Sequence, residues 1–256
     1  LPPLLGCAIH INAFNFPCWG MLEKIAPTLL AGMPAIVKPA SQTPFSALAL
    51  AWLAQQAGFP PGVLHVLTGP AEEIGAEMTA NPLVRKLSFT GSTRVGKLLM
   101  RNCADTVKKM SLELGGHAPF IVFDDADLDQ AVRGAMVSKY RNSGQTCVCA
   151  NRFIVQEKIY EPFAEKLTAA VQQLRVGDGF GEGVQQGPLI DLAALEKVEQ
   201  QVSDAVAKGA RIGCGGRRID GAGFFYEPTV LLDAHPDMLI ARDETFGPVA
   251  PLFVFK

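Results

Sequence analysis

The chain is poor in everything that would mark a polyanion-binding, membrane-spanning or disulfide-framed protein. Lys and Arg number 23 against 25 Asp and Glu, a net charge of −2, so no excess of positive charge is available for nucleic acid or another polyanion. No long apolar run is present. The aliphatic stretch from Thr28 to Val37 is interrupted by Gly32 and Pro34 and stopped by Lys38, short of the roughly 20 residues a membrane span needs. The six cysteines, at positions 7, 18, 103, 147, 149 and 214, are irregularly spaced in a chain too large to need disulfide staples, which favours a reduced, cytoplasmic setting. Histidines at 10, 65, 117 and 235 are scattered, and no second Cys or His pair at zinc spacing accompanies Cys147-x-Cys149, so no metal site is expected. Internal repeats, low-complexity tracts and linkers are lacking too. There is no initial methionine and no basic segment leading into an apolar one, so no secretory signal is visible. The chain opens on Leu-Pro-Pro and stops at Val-Phe-Lys within what reads as a strand; both ends read as cut.

What is there is a globular composition. With 256 residues, 48% of them hydrophobic, the chain can bury a sizeable core in one large or two ordinary domains. Short apolar runs at Pro34–Val37, Val63–Val66, Lys86–Phe89 and Lys109–Leu114 read as strands, and Phe45–Ala57, Ala71–Ala80 and Thr93–Cys103 as the helices between them. Strands and helices alternating in this way predict right-handed βαβ units and a doubly wound parallel α/β sheet, which binds nucleotides at the carboxyl ends of its strands. After Gly116 the pattern changes character, and a second domain is expected to begin near Gly115. Pro119–Phe123 and Arg152–Gln156 read as strands and Leu128–Arg141 as a helix. Tyr160, Phe163, Leu167, Val171 and Leu174 form one helical stripe and Leu192, Leu195, Val198, Val202 and Val206 another, both read as packing faces. Gly177–Gly187 and Gly215–Gly223 are loops.

The chemistry concentrates in two short motifs. Gly144-Gln145-Thr146-Cys147-Val148-Cys149 offers a thiol after a tight turn, and Glu113-Leu114-Gly115-Gly116 offers a carboxylate. A nucleophile and a base in one chain suggest covalent chemistry at a carbonyl, because a cysteine in a polar, semi-exposed setting can attack as thiolate. The competing reading of Cys147 is a small buried core residue. Phe89-Thr90-Gly91-Ser92-Thr93-Arg94-Val95-Gly96 places a glycine turn and a serine hydroxyl between a strand and a helix, a geometry that suits a phosphate or a plain helix cap. Lys38, closing an earlier strand before Pro39-Ala40-Ser41, is placed to meet a ribose or phosphate oxygen, or else is a surface lysine.

Taken in order, Asn15-Phe16-Pro17, Lys38-Pro39-Ala40-Ser41, Phe89-Thr90-Gly91-Ser92, Glu113-Leu114-Gly115-Gly116, Gly144-Gln145-Thr146-Cys147 and Glu244-Thr245-Phe246-Gly247-Pro248 resemble the aldehyde dehydrogenase superfamily from end to end. The resemblance implies a chain of nearly twice this length. Residues 1–115 would be part of a Rossmann-like NAD(P)-binding domain and residues 116–256 part of an α/β catalytic domain, both incomplete, and the full-length protein a homo-oligomer acting on a small-molecule aldehyde. It further implies that Cys147 attacks the aldehyde carbon, that the Asn15 amide and the Cys147 N–H hold the resulting oxyanion, and that Glu113 activates the water that hydrolyses the thioester. By the same resemblance Lys38 and Glu244 hold the nicotinamide ribose, Phe246 flanks the ring, and Ser92 beside Gly91 meets the pyrophosphate. Where an acid would repel a 2′-phosphate, Ser41 leaves room and a donor, so NADP is expected in preference to NAD.

From about residue 38 onward the sequence looks closest to bacterial succinate semialdehyde dehydrogenases. Arg141 matches an arginine that grips the substrate's distal carboxylate there, and Cys149 matches a second cysteine able to pair reversibly with Cys147. The first forty residues look more like aldehyde dehydrogenases of aromatic-ring degradation, such as the phenylacetate pathway. Glu23 stands where the succinate semialdehyde enzymes carry a second carboxylate-binding arginine, and an acid there opposes a dicarboxylic substrate. The sequence therefore predicts an NAD(P)-dependent aldehyde dehydrogenase acting on succinate semialdehyde. A different semialdehyde, transfer of the acyl group to coenzyme A, and an inactive scaffold are the alternatives.

Overall fold

Strands alternating with helices build the first of two compact units, Leu1–Gly115 and Gly116–Lys256. The computed structural model describes residues 6–256. In the first unit, strands β1 (Cys7–Ile11), β2 (Ala35–Lys38), β3 (Leu64–Val66), β4 (Val84–Gly91) and β5 (Lys109–Leu114) form one parallel sheet in the order β3-β2-β1-β4-β5. Helices α1 (Trp19–Leu30), α2 (Phe45–Gln56), α3 (Ala71–Ala80) and α4 (Thr93–Cys103) make the crossovers. Right-handed crossovers put α1 and α2 on one face and α3 and α4 on the other, and the chain reverses direction between β1 and β4.

On the α4 side, Leu87 and Phe89 of β4 pack with Met110, Leu112 and Leu114 of β5 and with Leu99 and Cys103 of α4. The intervening positions Lys86, Ser88, Ser111 and Glu113 share the opposite, polar face with His10, and Lys86 Nζ donates to Ser111 Oγ at 2.8 Å. The period of two therefore delivers Glu113 to a polar surface rather than to the core.

Two elements lie outside the expected set. β1 is five residues long, and α1 carries Pro27 within it, so neither gives a clean periodic signal, although β1 is central to the sheet and α1 packs on it. β4 is also longer than expected, running from Val84 to Gly91.

The second unit is built on a sheet in the order β6-β7-β10-β9-β8, comprising β6 (Ala118–Val122), β7 (Ala150–Gln156), β8 (Arg211–Cys214), β9 (Thr229–Leu232) and β10 (Val249–Phe255). Its pairings are parallel except β8 with β9; neither β8 nor β9 was legible as a strand, β8 lying beside a glycine loop and interrupted by Gly213. Helix α5 (Leu128–Tyr140) is capped by Asp127, which accepts from Gln130 N–H, and α7 (Leu192–Ala207) by Asp191, which accepts from Ala194 N–H. Between them α6 (Glu157–Gln172) presents Tyr160, Phe163, Leu167 and Val171 to the core formed by Phe153, Val155 and Leu252.

The stripe on α7 is narrower than the sequence suggested. Leu195, Val198, Val202 and Ala205 are buried, but Leu192 and Val206 are 44% and 42% exposed. At 100° per residue those two rotate to the edge of the face that the middle four define, so they are boundary positions rather than core.

Candidate active site

In the first unit the predicted residues gather at one edge of the sheet, outside the carboxyl ends of the strands. Asn15 lies in the turn between β1 and α1, Lys38 ends β2, Ser41 follows it, Gly91 ends β4, Ser92 starts α4, and Glu113 is the penultimate residue of β5. The loop after β1 is tied in by its backbone, Asn12 N–H donating to the Lys38 carbonyl at 3.1 Å. Lys38 itself is buried, its Nζ donating to the Pro39 carbonyl at 3.0 Å, and burial holds its pKa below the usual lysine range. It lines a cavity of about 320 Å³ with Ser41, Pro44, Thr68 and Gly69. Ser92 caps α4, accepting from Val95 N–H at 3.4 Å. A Cβ on Gly91 would sit 2.5 Å from the Phe89 ring of its own strand, and one on Gly96, on α4, 2.8 Å from Leu114 of β5, so α4 lies close on the sheet where Gly96 faces it.

The polar face around Glu113 holds, besides Glu23, three titratable groups that the sequence did not single out, His10, Lys24 and Lys86. A second cavity, of about 420 Å³, is lined by His10, Glu23, Lys24, Lys86, Ser88 and Glu113, among others. Lys24 Nζ lies 2.7 Å from Glu23 and donates to the Gly20 carbonyl at 3.1 Å, so the acid at position 23 already has a cation of its own. His10 is buried, with Nε2 3.0 Å from Thr28 Oγ1. Because that hydroxyl donates to the Lys24 carbonyl at 2.8 Å, it accepts from the imidazole, and Nδ1 is left buried without a partner. Burial, with the charges of Lys24 and Lys86, lowers the His10 pKa to about 4.

In the second unit the remaining residues meet at the amino edge of β6, β7 and β10. Gly116 and His117 lead into β6, Cys147–Cys149 into β7, and Glu244–Pro248 into β10. Helix α5 delivers the chain to the cysteine through three successive residues in the left-handed region, Asn142 (φ 52°), Ser143 (φ 54°) and Gly144 (φ 73°). Phe246, at φ 55°, adds a third strained non-glycine residue to this edge, a concentration typical of sites that hold groups in fixed orientation. Gly144 has no alternative, since a Cβ there would lie 2.1 Å from the Gly247 carbonyl oxygen. Its neighbours anchor the run: Ser143 Oγ donates to the Gly187 carbonyl at 2.9 Å, and Gln145 Oε1 accepts from Ile190 N–H at 2.9 Å.

Cys147 emerges from this run half-buried, in a turn closed by Cys149 N–H donating to the Thr146 carbonyl at 3.2 Å. Cys149 is buried, its sulfur 2.6 Å from Thr146 Oγ1 and 3.7 Å from the Lys139 carbonyl. Glu244 Oε1 accepts from Gly116 N–H at 3.3 Å, and burial raises its pKa against the opposing pull of Lys197 and Lys139. Arg141, at the end of α5, is exposed. Among the described residues no group of three or more His, Cys, Asp or Glu could hold a metal ion.

The second unit thus bears a half-buried thiol on a turn anchored by its neighbours, and the first a carboxylate near the end of β5. The chain belongs to the aldehyde dehydrogenase family, whose model matches residues 2–256. Among its relatives, the succinate-semialdehyde dehydrogenase [NADP(+)] of Escherichia coli strain K12 is 57% identical over 252 residues, covering 98% of this chain and 52% of the relative. The 3-sulfolactaldehyde dehydrogenase of Pseudomonas putida is 59% identical with the same coverage. The crystal structure of succinate-semialdehyde dehydrogenase from Burkholderia pseudomallei superposes with a TM-score of 0.96 at 59% identity, over 98% of this chain and 52% of that one. The chain thus spans about half the length of the relatives it matches.

Proposed function

We propose that the full-length protein oxidises a short aldehyde with an anionic far end, succinate semialdehyde foremost, to the carboxylic acid. Cys147 attacks the aldehyde carbon as thiolate, and the Asn15 side-chain amide and the Cys147 N–H donate to the oxyanion so formed. Bound NADP supplies the hydride acceptor. Glu113 then takes a proton from the water that hydrolyses the Cys147 thioester, releasing the acid and returning the thiolate. The observation that carries this reading is Cys147 itself, a half-buried thiol on a turn pinned from both sides in a chain of this family.

The cofactor assignment rests on fit. The cavity beside β2 and β3 offers a buried ammonium at Lys38 and a hydroxyl at Ser41, and it lies where a doubly wound sheet receives a nucleotide. Lys38 and Glu244 would hold the nicotinamide ribose, Phe246 would flank the ring, and Ser92 beside Gly91 would meet the pyrophosphate. The small Ser41 leaves space for a 2′-phosphate, and the Escherichia coli relative carries NADP(+) in its name.

Arg141 would grip the far end of the substrate, a forked cation suited equally to a carboxylate and to the sulfonate named in the Pseudomonas relative. Cys149 would serve as a reversible oxidation partner of Cys147. The same proposal makes the protein a cytoplasmic homo-oligomer without nucleic-acid or membrane partners. Among the described residues no helix is long and apolar enough to cross a membrane.

The test is the full-length protein against succinate semialdehyde, 3-sulfolactaldehyde and an aromatic aldehyde with each cofactor. Cys147→Ala should abolish oxidation, and Glu113→Gln should release one equivalent of reduced cofactor per site and then stall at the thioester. Full turnover by either variant overturns the assignment.

A further inference from the structure

Lys139 is the one lysine of the second unit that is wholly buried, at 0% exposure, yet among the described residues it has no carboxylate within ion-pair distance. Lysine at this depth is exceptional, because removing an ammonium from water is costly unless its protons find acceptors. It stands on the last turn of α5, and its Nζ donates to Asn151 Oδ1, on β7, at 3.0 Å. That bond fixes which end of the Asn151 amide is the donor. Asn151 Nδ2, so oriented, faces two carbonyls, those of Cys149 and Gly116, each at 3.5 Å.

The two carbonyls are placed where orientation matters. The Cys149 carbonyl ends the turn that carries Cys147, and the Lys139 carbonyl accepts the Cys149 thiol at 3.7 Å, so the lysine meets this turn through both its backbone and its side chain. Gly116 follows Glu113-Leu114-Gly115 directly in sequence, and its N–H is taken up by Glu244. Burial lowers the Lys139 pKa to about 8, with Cys149 and Glu244 pulling the other way and Lys197 adding to the fall.

We propose that Lys139 and Asn151 act as one positioning pair, the ammonium orienting the amide and the amide fixing the Cys147 turn against Gly116, the last residue of the Glu113 motif. Neither side chain touches the reacting atoms. This inference rests on the proposed aldehyde oxidation for its kinetic readout and on the thiol alone for its second.

The experiment uses the full-length protein and the variants Lys139→Met, Asn151→Ala and the double variant, each checked for native near-ultraviolet dichroism. With succinate semialdehyde and NADP, each single variant should lower kcat by about tenfold or more with KM changed by less than about twofold. Alkylation of Cys147 by iodoacetamide, followed by mass spectrometry, should slow in the same order. The double variant should be no worse than the poorer single one, because removing either member disables the pair. Losses that multiply in the double variant, or unchanged kcat and alkylation with only a lowered melting temperature, overturn the pair. If the parent oxidises no aldehyde, the function proposed above falls, and alkylation alone decides: non-multiplying slowing supports the pair and wild-type rates refute it. Should Lys139→Met not fold, Asn151→Ala must show both effects, and wild-type behaviour there is refutation.

Discussion

The stability of the first unit should fall on mild acidification because of a single imidazole. His10 is buried, donates through Nε2 to Thr28, and is held neutral by burial and by Lys24 and Lys86. An unfolded chain takes up a proton at the ordinary value of 6.5, whereas the folded chain resists until about pH 4. Above 6.5 the contribution is therefore complete. Between 6.5 and 4 the unfolded state binds the proton that the folded state refuses, and stability declines at about 1.4 kcal/mol per pH unit; below 4 both states are protonated and the loss levels off at roughly 3 kcal/mol. The comparison variant is His10→Gln, whose side-chain amide can still donate to Thr28 and does not titrate. Urea unfolding of the wild-type and variant full-length proteins, at steps from pH 8 to 4.5, should give curves whose separation changes by about 2 kcal/mol below pH 6. Parallel curves, or an NMR titration of the His10 ring with its midpoint at 6.5 or above, would show that this pocket does not exclude the charge.

Gly144→Ala must push a methyl to 2.1 Å from the Gly247 oxygen at a positive φ, so it should destabilise by about 3 kcal/mol and alter the alkylation rate of Cys147; thermal unfolding and thiol labelling check the two together. Tyr140→Phe removes the hydroxyl that donates to the Thr229 carbonyl at 2.8 Å in the interior, costing about 1–2 kcal/mol, while kcat stays within about twofold, as urea titration and a rate assay should show.

Much of this arrangement was legible because the relevant signals are local. Lys109–Leu114 alternates apolar and polar residues, and the strand occupies those bounds. The Ser92 cap and the apolar spacing after it give α4, and the Gly-Gln-Thr-Cys run marks the half-buried thiol. The signals failed where tertiary context decides. β1 is five residues long and becomes a strand by pairing on both sides. Burial of Lys139 was written in the spacing, one turn after the buried Ala135 and seven residues after Val132. The strong tendency of lysine to be exposed outweighs that spacing in any reading without coordinates. His10 shares the polar face of the sheet, and its partner, Thr28, lies on a helix that sequence did not reveal.

The left-handed run through Asn142, Ser143 and Gly144 has an evolutionary corollary. Main-chain sterics, not the packing of large side chains, choose the direction in which the thiol leaves the helix. Surface residues of that helix are therefore free to drift while the aim of the sulfur stays inherited unchanged.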